Sequence, residues 1–107
     1  MRLGDLRHLL RLERPTEGAP DTYGQPPSGW EPVAELYAKV EPLSGRELEL
    51  ARQQEARVTH RLTIRFNEDV TTRNRLLLGE RVFQVVSVLD EEERHDVMML
   101  LAQEVAA

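Results

Sequence analysis

The 107-residue sequence predicts a mainly β fold, a small barrel or sandwich of about six short strands with one short inserted helix and one long Pro/Gly loop. Three observations carry this. Apolar residues recur with period two in most segments, as a half-buried strand requires. Only one stretch reads as a helix. Proline and glycine crowd into a single stretch, residues 15–29. The length fits one domain spanning residues 1–107.

The first strand runs from Leu6 to Arg14. Leu6, His8, Leu10 and Leu12 take one face, and Arg7, Arg11 and Glu13 the other. Pro15 stops it. Seven of the fifteen residues from Pro15 to Gly29 are Pro or Gly, which no regular element tolerates. Loops of that length in a compact domain are usually functional or mobile. Trp30 opens the second strand. Ala34, Leu36, Ala38 and Val40 face one way, Glu35, Tyr37, Lys39 and Glu41 the other, and Pro42 ends it.

Ser44-Gly45-Arg46-Glu47 reads as a capping box. The Ser44 hydroxyl would accept the Glu47 N–H, and the Glu47 carboxylate would return to the Ser44 N–H. Glu47 to Arg57 then holds good helix formers and neither Gly nor Pro. Its apolar stripe is thin, with Leu48 and Ala51 on one side and Leu50 nearby. A helix with so little to bury needs a neighbour to order it.

The third strand is the cleanest: Val58, His60, Leu62, Ile64 and Phe66 alternate with Thr59, Arg61, Thr63 and Arg65. Asn67-Glu68-Asp69 turns it. Arg75 to Leu78, Gly79-Glu80, and Arg81 to Leu89 form a hairpin, with Gly first in a two-residue turn of type II′. Phe83, Val85 and Leu89 share one face of its second strand, and Val82, Val86 and Val88 the other. Asp90 to His95 is a charged turn. Asp96 to Glu104 is a last strand or a short helix, and the preceding hairpin favours the strand.

Composition narrows the function. With 14 Lys plus Arg against 19 Asp plus Glu, the net charge is −5, against the basic surface a tight duplex-DNA binder needs. The absence of cysteine excludes disulfides, thiolate zinc sites and a Cys nucleophile. No apolar run approaches the ~18 residues of a membrane span, and Met1 to Asp5 lacks the apolar stretch of a signal peptide. Thirteen of the fourteen basic residues are Arg, Lys39 being the exception, a bias of GC-rich coding before it is one of ion-pair chemistry.

No phosphate loop, nucleophile elbow, zincin motif or EF-hand loop is present. Ser44 caps a helix rather than attacking a substrate. His8 and His60 both fall on inward strand faces and could lie close together. No carboxylate accompanies them at a ligand spacing, so hydrogen-bonded structural histidines are expected, and no metal or cofactor. Asp90 and Glu91-Glu92-Glu93 read as a solvated turn, not a cation site. Arg61 and Arg65, on the outward face of the third strand, suit acidic groups of another subunit better than phosphates. Tyr23 and Trp30 read as anchors of the long loop.

Several stretches in order resemble the phage head–tail joining proteins, also called head completion, head closure or stopper proteins. They are Leu6-Arg7-His8, Asp21-Thr22-Tyr23-Gly24, Trp30, Tyr37 through Glu47, His60 through Phe66, Gly79 through Val85, and Asp90 with Arg94. The likeness is collinear over nearly the whole chain. It implies a small β-barrel and a structural virion protein, not an enzyme. Copies would form a ring in the neck of a tailed phage or prophage, made in the bacterial cytoplasm. That ring would close the portal channel after packaging and offer the tail its docking surface. Portal and adaptor proteins would sit on one side and tail proteins on the other, with phage DNA passing through unread.

On this likeness the inserted segment 43–57 is the candidate channel or inter-subunit contact: Leu43, Ser44, Gly45, Arg46, Glu47, Leu48, Leu50, Arg52 and Arg57. Asp21, Tyr23, Gly24 and Trp30 of the loop are the candidate partner contact. Two rival readings are a tail terminator or adaptor of the same neck, and a β-barrel that binds single-stranded nucleic acid. The acidic charge and only five aromatic residues count against the last.

Overall fold

The computed structural model describes residues 6–16, 29–89 and 96–105. Six antiparallel strands close into a barrel in the order β1-β2-β3-β6-β5-β4. The strands are β1 (His8–Pro15), β2 (Trp30–Pro42), β3 (His60–Arg65), β4 (Arg75–Leu78), β5 (Arg81–Leu89) and β6 (Val97–Val105). A single helix, α1 (Gly45–Gln54), is inserted between β2 and β3. The segment from Asp96 is therefore a strand, and the barrel is the form the sheet takes. Closure lets most of these short strands satisfy their backbone groups on both sides.

Much of the core follows the alternation, although Ala34, expected on the face of Leu36 and Ala38, is exposed, and Thr63, expected outward on β3, is buried. Leu10 and Leu12 of β1, Ala38 of β2, Leu62 and Ile64 of β3, Leu76 of β4, Phe83 of β5 and Leu100 and Ala102 of β6 are fully buried. Leu36 and Val40 pack against them from β2. Gly79 has φ +60°, the positive value a tight hairpin needs at its first loop position.

Two bulges shift the expected faces. Between Leu12 and Glu13 the β1–β2 register slips, so Glu13 pairs with Pro32 and becomes buried instead of facing solvent. Between Val85 and Ser87 the β5–β6 register slips too. Beyond it Val88 packs against the core, and Leu89, expected on the Phe83 face, is exposed.

Candidate functional site

The longest strand, β2, roots both candidate segments. Pro15 pairs with Trp30 at its start, so the chain leaves the barrel there for the long loop, and Thr16 N–H donates to Gly29 O at 3.0 Å across the base. Pro42 pairs with His60 at the other end, where the inserted segment begins and returns. The roots of the two candidate segments, Pro15/Trp30 and Pro42/His60, therefore stand at opposite ends of β2.

At the helical end, Leu43 is buried and its N–H donates to Thr59 O at 3.0 Å. Leu43 is spent inside its own subunit and roots the segment rather than offering a contact. Ser44 occupies the N-cap position with extended backbone, but its side chain makes no capping bond. The reciprocal capping box does not form, because the Glu47 carboxylate pairs instead with Arg61 of β3. Arg61 also meets Glu41 at 3.4 Å. Its acidic partners thus belong to its own chain, whereas Arg65 is exposed.

Gly45 opens the helix at φ +55°, a value that disfavours any side chain. Helix α1 buries none of its ten residues. Leu48 and Ala51 are half-buried, Arg46 and Glu47 are exposed, and Leu50 is 50% exposed. Arg52 Nε donates to Val58 O at 3.3 Å, tying the helix end back to the chain. Arg57 pairs with Glu55 at 3.0 Å, which lowers the Glu55 pKa and raises that of Arg57.

At the loop end, Trp30 is half-buried, with the Arg75 guanidinium 4.3 Å from its ring centroid. Arg75 Nε donates to Glu13 at 2.8 Å, and Arg11 holds the other Glu13 oxygen at 3.0 Å. Asn74 Nδ2 donates to the Glu13 carbonyl at 3.0 Å. Trp30 is thus linked through Arg75 to a buried carboxylate. Sequence reasoning missed Glu13, and a lone acid in an alternating strand gives no sign of the bulge that buries it. Asp21, Tyr23 and Gly24 lie outside the described residues, as do the acidic turn 90–95 and His95.

The histidines do not come together. His8 pairs with Ala38 and is exposed, while His60 pairs with Pro42, four residues further along β2. Position at a strand end overrides the inward phase of His8. His60 packs edge-on against Phe83, with ring centroids 5.0 Å apart, and Thr59 Oγ1 lies 2.8 Å from its Nδ1. Burial pushes its pKa below the ordinary 6.5; nearby Glu104 opposes the shift and Arg81 adds to it. Arg81 holds Glu104 through two bonds, at 2.7 and 3.2 Å, which lowers the Glu104 pKa. Among the described residues no group of three His, Asp or Glu could hold a metal. Tyr37, 58% exposed, is the one fully solvent-facing aromatic among them, which is no stacking platform.

A family model for phage head completion proteins matches residues 1–105. The chain belongs to the phage head completion protein family. Among curated proteins none matches it. Two solved structures share its architecture. One is the solution structure of protein SF1141 from Shigella flexneri 2a, at 23% identity and TM-score 0.75, covering 99% of this chain and 98% of that one. The other is a chain of the virion of a native gene transfer agent particle, at 21% identity and TM-score 0.63, covering 95% and 97%. At these identities the likeness is one of fold. As a head completion protein the chain has a structural role in the phage particle, among other virion proteins.

Proposed function

We propose that copies of this head completion protein form a ring in the neck of a tailed phage or prophage particle. The ring closes the portal channel after DNA packaging and presents the tail with its docking surface. Portal or adaptor proteins meet one side and tail proteins the other. The observation that supports this reading is that two distinct segments are rooted at opposite ends of the same strand, at Pro15/Trp30 and at Pro42/His60. A part that joins two different neighbours needs two separate contact regions. On this reading Ser44 to Arg57 faces the channel or the adjoining subunit, and Asp21 to Trp30 reaches a partner ring.

The energetics agree. A ten-residue helix with no buried residue is marginal alone, so a neighbour that covers it adds to its order. Assembly then waits for that neighbour. A net charge of −5 avoids the phosphate contacts that would hold DNA in the channel. Electron microscopy of purified neck complexes tests the proposal. Density for this subunit as a ring between portal and tail is expected, and a subunit found outside the neck overturns it.

A further inference from the structure

We propose that the outward face of α1 in one copy docks on the outer barrel wall around Tyr37 of the next. This rests on the ring reading and names the contact that builds the ring. Leu9 and Tyr37 are cross-strand partners, 45% and 58% exposed, and together form an apolar spot on the wall. Leu50, 50% exposed, is the matching apolar group on α1. Tyr37 stands five residues from the end of β2 where the helical segment begins, about 17 Å along the strand. Arg61, at that end, already holds α1 through Glu47.

The charges around the two spots complement each other. Arg46 lies one turn before Leu50 on the same helix face, and Glu49 is the chain neighbour of Leu50, about 100° round the helix. Around Tyr37 stand Glu35 on its own strand, Arg65, next to the Ile64 that pairs with Ala38, and on β1's side Arg7 and Arg11, Arg11 being the cross-strand partner of Glu35 and engaged by Glu13. Arg46, Glu49, Glu35 and Arg65 are exposed, and none of these four makes an ion pair among the described residues. Arg46 thus has Glu35 available on the other surface, and Arg65 has Glu49. Lys39, also near Tyr37, is loosely engaged by Glu41 at 3.8 Å. Because the surfaces differ, the contact is head-to-tail, the kind that closes rings when its rotation permits.

The chain contains no cysteine, so an engineered pair reports the contact cleanly. The full-length protein carrying both Leu50→Cys and Tyr37→Cys, oxidised at high concentration, is expected to give a ladder of trimers and larger species on a non-reducing gel. Each single variant can give dimers at most. Adding Arg65→Glu should reduce the ladder about fivefold, the weight of one exposed ion pair, and Glu49→Arg should restore it. A sample without a ladder, a bridge formed inside one chain, or a ladder indifferent to Arg65→Glu overturns the contact. Electron microscopy of the wild-type protein on portal complexes separates the two readings. Rings there without a ladder leave the ring standing and remove this contact, whereas the subunit bound outside any ring removes the ring itself.

Discussion

Helix α1 and strand β3 are neighbours in sequence and opposites in packing. Strand β3 spends six residues and buries Leu62, Thr63 and Ile64, whereas α1 spends ten and buries none. The difference lies in what each can reach. Strand β3 is paired on both sides, with β2 and β6, while α1 hangs from a buried Leu43, the Glu47–Arg61 pair and the Arg52–Val58 bond. Stability therefore resides in the barrel, and α1 leaves all ten of its residues at least partly accessible.

That contrast breaks if substitutions in the two regions cost the same. The largest effect is expected from Phe83→Ala, which empties the fully buried centre of the barrel and should cost about 3–5 kcal/mol in denaturant unfolding. Glu13→Gln should cost about 1–2 kcal/mol, since two arginines lose a buried partner while keeping some access to water. In the same assay Thr63→Val should gain about 1 kcal/mol, because the buried Thr63 hydroxyl has no hydrogen-bond partner. Leu50→Ser on α1 should change stability by less than ~0.5 kcal/mol. A loss of several kcal/mol there would mean that the helix already packs within the lone subunit.

Acidity sharpens the comparison at the junction of the two regions. His60 has a folded pKa below its ordinary 6.5, so the unfolded chain binds a proton first as pH falls. Its contribution is intact above pH 6.5 and is lost as pH drops through the folded value. The melting temperature should therefore decline below pH 6.5, and His60→Gln should flatten that decline. Helix content from α1 should not track it, since no residue of α1 takes part in the histidine's contacts.

Much of this was legible in the sequence because strands announce themselves by alternation. Leu62 and Ile64 of β3, the Gly79 turn and the thin stripe of α1 were readable without coordinates. The bulges at Leu12/Glu13 and Val85/Ser87 were not, because a bulge is set by the partner strand rather than by its own residues. Their consequences, a buried Glu13 and an exposed Leu89, were invisible for that reason. The capping box at Ser44 failed because Arg61, fourteen residues away, competes for the Glu47 carboxylate. In the candidate site, the helical segment was legible as a sparsely packed stretch. The separation of the two roots depended on the pairing of β2 with both neighbours, which no local pattern encodes.

Strand β2 carries no turn between Trp30 and Pro42, and its thirteen residues span about 40 Å. It therefore acts as a ruler: the base of the loop and the root of the helix are held at a fixed separation. Sliding by one residue would turn every inward side chain outward. On the proposed reading, the spacing between partners at the two ends is written into the length of one strand.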